Sequence, residues 1–316
     1  MNKKLLLGTF LIVSMMSRGQ QDPQFTHFMY DKLSINPGVA GTSEAICFTG
    51  IFRNQWGGFG QEPKTGLLNL HAPIDQIKGG LGGTYYYDQL GWEINNMFRL
   101  SYSYHLKNIG PGSLGLGLSA GYFQKKINPA WIVPDTEAGS GNNQDNSIPT
   151  SNNADGSINF SLGAYYYASN FYAGLSTTHL TQSELSSLNV QSVRHYYIMG
   201  GYTYPLPVLN GDFELKPNAL IKTDAVSTQF DVNLTVMFRK LAWLGVTYRN
   251  QDAVAPMAGL QYTLSKYGTV KLGYAYDVTT SNISGYSNGT HEIMLNYCFS
   301  ISRNKPFTRT VHPRFL

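Results

Sequence analysis

The feature that most constrains this chain is an alternation of apolar with polar or very small side chains, repeated in run after run between residues 43 and 301. The last run is representative. Ile293, Leu295, Tyr297, Phe299 and Ile301 fall on one parity, and Glu292, Met294, Asn296, Cys298 and Ser300 on the other. Side chains along a β-strand point alternately to opposite faces, so this spacing predicts a strand with one greasy and one mostly polar face. Phe98, Leu100, Tyr102 and Tyr104 oppose Arg99, Ser101, Ser103 and His105 in the same way, and Val232, Leu234 and Val236 oppose Asp231, Asn233 and Thr235.

Clusters of Gly, Pro, Asn, Asp and Ser cut the chain into runs at 43–56, 64–75, 78–88, 91–107, 113–126, 156–168, 170–178, 193–204, 212–223, 227–238, 241–250, 253–265, 268–278 and 288–301. That makes about fourteen strands in an all-β chain. Alternating strands suit either a soluble sandwich, apolar face inward, or a membrane barrel, apolar face outward. Run length favours the barrel, because tilted spanning strands need about 9 to 11 residues and soluble strands average about 5 or 6. Aromatic residues near run ends, among them Trp56, Trp92, Tyr122, Tyr202 and Trp243, suit interfacial girdles.

Connection length supplies the strongest argument. With the amino terminus in the periplasm, odd-numbered connections face outside, where barrel loops are long. The longest gaps, 127–155, 179–192 and 279–287, are all odd-numbered, whereas most even ones are a few residues. The expectation is an up-and-down antiparallel transmembrane barrel over 43–301, in the outer membrane, with periplasmic terminal segments.

Residues 1–19 combine Lys3 and Lys4 with an apolar stretch from Leu5 to Met16, and read as a signal peptide cut between Gly19 and Gln20. Residues 20–42 form a periplasmic lead-in or plug, and 302–316 a periplasmic tail. The formal net charge of +4 falls once the basic start is removed, and no basic patch suggests nucleic acid. No apolar stretch is long enough for a spanning helix.

The ordered set Asp22-Pro23-Gln24-Phe25, Asn36-Pro37-Gly38, Arg53-Asn54-Gln55-Trp56, Pro63-Lys64-Thr65, Arg194-His195-Tyr196-Tyr197, Tyr248-Arg249, Gly273-Tyr274-Ala275-Tyr276-Asp277 and His291-Glu292 resembles the PorP/SprF family. These are outer-membrane proteins of the type IX secretion and gliding machinery. The resemblance covers nearly the whole mature chain. It implies a non-enzymatic barrel whose partners are secreted or surface-attached proteins with a type IX sorting domain, periplasmic or lipoprotein components of the machinery, and outer-membrane lipid. The outside loops, mainly 127–155 and 179–192, would meet cargo. The rival reading is a passive channel for small or apolar molecules.

Several residues stand out for chemistry. Cys47 and Cys298, the only cysteines, fall on the lumen parity of the first and last strands, so barrel closure makes them candidates for a disulfide in an oxidising compartment. Arg99, His105, Asp231, Lys271, Asp277 and Glu292 form a candidate polar cluster in the lumen, either a substrate path or paired charges filling a narrow barrel. Arg53, Trp56, Pro63 and Lys64 are candidates for an outer girdle or docking surface. His179, His195 and His291 have no triad spacing, and no metal-ligand cluster, cofactor motif or catalytic constellation is expected.

Overall fold

The alternating runs become the staves of a closed antiparallel barrel. The computed structural model describes residues 22–58, 60–127, 153–188, 190–207 and 212–300. Among them, fourteen staves form the wall: β1 Ala45–Asn54, β2 Lys64–Ile74, β3 Gly79–Leu90, β4 Glu93–Ile109, β5 Gly112–Ile127, β6 Asn153–Ala168, β7 Phe171–Thr178, β8 His195–Tyr202 with its short continuation Tyr204–Leu206, β9 Phe213–Thr223, β10 Thr228–Phe238, β11 Ala242–Arg249, β12 Ala253–Thr263, β13 Thr269–Thr279 and β14 Thr290–Ser300. Each strand pairs with its sequence neighbours, and β1 pairs with β14, with Ala45 opposite Ser300 and Asn54 opposite His291. Closure removes the sheet edge and satisfies the backbone within the wall, which a lipid environment demands.

Parity decides which face meets lipid. Phe52, Leu70, Leu100, Leu118, Ile158, Leu175, Leu260 and Leu272 all point outward and are exposed. Their partners on the opposite parity are buried and mostly polar or small, among them Asn69, Ser101, Ser119, Ser161 and Asn233. Trp243 departs from the girdle expectation. It is 1% exposed, inside the barrel, because Trp243, Gly245, Thr247 and Arg249 share the inward parity of β11 while Leu244, Val246 and Tyr248 face out. Its indole packs against Tyr30 with ring centroids 5.7 Å apart.

The two rims differ. Turns such as 110–111, 169–170 and 239–241 are short, whereas the opposite rim carries residues 55–63, 179–194 and 280–289. The signal-peptide boundary at Gly19 and Gln20, most of the 127–155 connection and the 302–316 tail lie outside the described residues. The 179–192 connection does not simply project away from the barrel. It holds a small hairpin, Glu184–Leu185 with Val190–Gln191, whose Leu185 is fully buried against the lumenal cluster of Phe25, Tyr86 and Phe123. An apolar side chain has little reason to stay in water when the lumen mouth lies beneath it.

Candidate functional site

The amino-terminal segment from Asp22 to Thr42, which the sequence leaves open as a periplasmic lead-in or a plug, does not rest at the short-turn mouth. It runs through the lumen. Gln24 and Gln229 join near the start of β10, Thr26 reaches Asp277 and Glu292, Asn36 reaches β6 and β7, and the Gly41 amide donates to His71 Nδ1 at 3.2 Å. Asp22 therefore sits at the long-loop rim and Thr42 at the other. Phe25, Phe28, Leu33 and Val39 are buried at 2–7% exposure, and Phe25, Phe28 and Val39 pack into apolar clusters with inward wall side chains such as Leu67, Met97, Met199 and Met294.

Small inward residues make room for this segment. Pro37–Val39 form a 3-10 turn that Asn36 caps, its Oδ1 accepting from the Gly38 amide at 2.8 Å. A Cβ on Gly117 would lie 2.2 Å from the Gly38 nitrogen, and one on Gly163 would lie 2.1 Å from Asn36 Oδ1. β5 needs glycine where the plug backbone touches it, and β6 where the capping Asn36 side chain does. Asn36 Nδ2 donates to the carbonyls of Ala164 and Leu175 at 3.0 and 3.2 Å, tying the turn to two staves.

The charged centre lies nearer the long-loop rim. Arg53 donates to Glu292 Oε2 at 2.9 Å and to Asp277 Oδ2 at 2.8 Å, while Arg249 reaches Asp277 at 3.1 Å and Asp231 at 3.2 Å. The plug completes this network. The Thr26 and His27 amides donate to the two oxygens of Glu292 at 2.8 and 2.7 Å, His27 Nδ1 lies 2.7 Å from Oε1, and the Thr26 hydroxyl donates to Asp277 Oδ1 at 2.7 Å. Buried charges persist only when paired and hydrogen-bonded, and here the plug supplies donors that the wall lacks.

Of the six polar residues expected in one lumenal cluster, three belong to this network: Asp231, Asp277 and Glu292. The others lie elsewhere along the plug. Arg99 donates to the Ser34 carbonyl, His105 Nε2 lies 2.9 Å from the Ala40 carbonyl, and the Lys271 ammonium stands 5.3 Å from the Tyr30 ring centroid. Arg53 is a correction. It was assigned to the outer girdle, yet at 2% exposure it is inside the barrel, because it shares the inward parity of Cys47, Thr49 and Ile51. Trp56 does sit in the first long-rim loop, where its amide donates to Thr290 Oγ1 at 3.0 Å and Gly57 exchanges backbone bonds with the 288–289 segment. Pro63 accepts from the Gln55 amide at 2.9 Å, and Lys64 stands 3.5 Å from Glu62 at the surface.

Cys47 and Cys298 are register partners across the β1–β14 seam, with sulfurs joined at 2.08 Å. Sequence reasoning missed Thr26, His27 and Arg249. Arg249 carried a usable signal, its inward parity on β11; Thr26 and His27 lie in a stretch with no period.

A second group gathers at the long-loop rim. Asp22 Oδ1 lies 2.8 Å from His179 Nε2, and Asp22 Oδ2 lies 3.9 Å from His195 Nδ1. His179 follows β7 and His195 opens β8, so the two histidines, 16 positions apart in sequence, meet across one connection. Beside them is a cavity of about 770 Å³, lined by Glu93, Lys125 and Glu184 among others.

The family model described as type IX secretion system membrane protein PorP/SprF matches residues 17–297. No curated protein matches the chain in sequence. Among solved structures, it is similar to the CymD monoaromatic hydrocarbon channel, at 11% identity and a TM-score of 0.52, over 87% of this chain and 93% of that one. It is also similar to the Ralstonia pickettii toluene transporter TbuX, at 10% identity and a TM-score of 0.52, over 85% and 93% of the respective chains. At such identities the likeness is one of fold.

Proposed function

Because this chain belongs to the PorP/SprF family of type IX secretion system membrane proteins, we propose that it acts as a plugged outer-membrane barrel that binds secreted or surface-attached cargo outside and machinery components in the periplasm. It is a membrane protein and not an enzyme. The observation that carries the reading is the filled lumen. A segment whose backbone amides complete the Arg53, Asp277 and Glu292 network occupies the space a substrate path would need. A barrel closed in this way contributes surfaces, and its long-loop rim is the face it offers to exported proteins carrying a type IX sorting domain. Its periplasmic end is the side open to lipoprotein or soluble components of the machine.

A second reading is passive passage of small apolar molecules. It is favoured by the 770 Å³ cavity at the long-loop rim and by a barrel fold shared with a hydrocarbon channel and a toluene transporter. In this chain passage would require the plug to move. Gene deletion separates the two. The secretion reading expects surface proteins with the sorting domain to be lost from the cell surface and restored by the intact gene. Normal export and attachment, with altered uptake of apolar solutes, would favour passage instead.

A further inference from the structure

We propose that Asp22, His179 and His195 form a binding site for one divalent transition-metal ion of the Zn²⁺ class, which clamps the outer end of the plug to the rim of the barrel. One oxygen of Asp22 and one ring nitrogen from each histidine all lie within 4.8 Å of one another. Two imidazoles and a carboxylate are a donor set that suits Zn²⁺ and its first-row neighbours, and three protein ligands leave one position for water. The cavity beside the group would admit that water and the ion itself.

His195 provides the independent argument. It is 2% exposed, and neither of its ring nitrogens has a hydrogen-bond partner among the described residues. Leaving a buried polar group unsatisfied costs about 1–3 kcal/mol, so a folded protein rarely keeps an imidazole in this condition without a ligand. His179 Nδ1 is likewise buried and unpartnered.

The surroundings are built to hold the carboxylate. The Tyr197 hydroxyl donates to Asp22 Oδ2 at 2.8 Å and the Thr178 hydroxyl at 3.2 Å, which is how outer-shell donors orient a metal-binding carboxylate. Lys222, the nearest cation, is engaged by the Asp22 carbonyl at 2.7 Å. Ligand atoms around a tetrahedral ion with bonds of about 2.0–2.1 Å stand about 3.3 Å apart. The His179 to Asp22 spacing is already shorter than that, and binding requires His195 Nδ1 to move in from its present 3.9 Å to Asp22 Oδ2. Binding would replace the hydrogen bond between His179 Nε2 and Asp22 Oδ1 by bonds from both atoms to the ion, with the imidazole proton standing on Nδ1.

The test uses the mature chain, purified in detergent without a polyhistidine tag, stripped with chelator and titrated with ZnCl₂ by calorimetry. The expected result is uptake of one tightly held ion per chain, weakened at least tenfold in His195→Ala and in Asp22→Asn. Folding of each variant is checked by its heat-dependent gel migration, and the two substitutions act from the wall and from the plug, so either one alone decides. Co²⁺ added to the unmodified chain should give the intense visible absorption of a low-coordinate site. No stoichiometric uptake by the unmodified chain, a weak spectrum like that of hydrated Co²⁺, or affinity unchanged in a folded variant would overturn the proposal.

Discussion

Arg53 and Glu292 face one another across the seam that closes the barrel. They are register partners on β1 and β14, and Arg53 Nη1 donates to Glu292 Oε2 at 2.9 Å. The same carboxylate receives the amides of Thr26 and His27, so one side chain joins the first strand, the last strand and the plug. Closure of the wall and docking of the amino-terminal segment are therefore coupled at this point.

That coupling makes Glu292 costly to lose. Glu292→Leu leaves two plug amides and Arg53 Nη1 without their acceptor while Asp277 still pairs with Arg53 Nη2, so the loss is at most the about 3–5 kcal/mol that removing one member of a buried ion pair costs. Thermal unfolding of the detergent-solubilised barrel should show that loss. The double variant Arg53→Met with Glu292→Leu should be less destabilised than the sum of the single changes, whereas strict additivity would mean that the two do not act as a pair.

Gly117 tests the plug from the wall side. Gly117→Val places a branched side chain where the Gly38 nitrogen lies 2.2 Å from a Cβ, while leaving the outward face of β5 untouched. Overpacking costs about 1–3 kcal/mol, which the plug, held by side-chain contacts and not by a strand ladder, should absorb first. Hydrogen exchange should then quicken at residues 25–40 and stay slow in the strands; an equal rise throughout the wall would contradict the assignment.

The Cys47–Cys298 bond closes a loop of 251 residues. In the chain-entropy description a loop this long contributes about 5 kcal/mol, and crosslinks in practice typically give about 2–4 kcal/mol. Cys47→Ser with Cys298→Ser should lower the unfolding temperature without changing the strand content seen by circular dichroism. Alkylation of the native, unreduced chain should leave both cysteines unmodified, and modification of either would show that they are not joined.

Much of the wall was legible in the sequence. The period-2 runs located the strands because lipid on one side and a polar interior on the other impose strict alternation. The parity that turned Cys47 inward also turned Arg53 inward; proximity to Trp56 suggested the girdle, yet neighbouring positions on a strand face opposite ways. Trp243 misled for a similar reason, since an aromatic near a strand end fills a lumen as readily as it anchors an interface. The plug's path was not legible, because residues 22–42 have no period and each contact is made to a distant strand. Its footprint was present as the small inward residues Gly117 and Gly163, whose meaning depends on what lies against them. The meeting of Asp22, His179 and His195 was hidden too, since it depends on a plug residue reaching the far rim.

The filled lumen is the central claim, and planar-bilayer conductance measures it most directly. The intact chain should insert with little or no steady conductance, while deletion of residues 24–41, in a variant shown to be folded by heat-dependent gel migration, should open large and stable steps. Equal open-pore conductance from the intact chain and the deletion would contradict the account, because it would mean that Asp22 to Thr42 does not occupy the passage through the barrel.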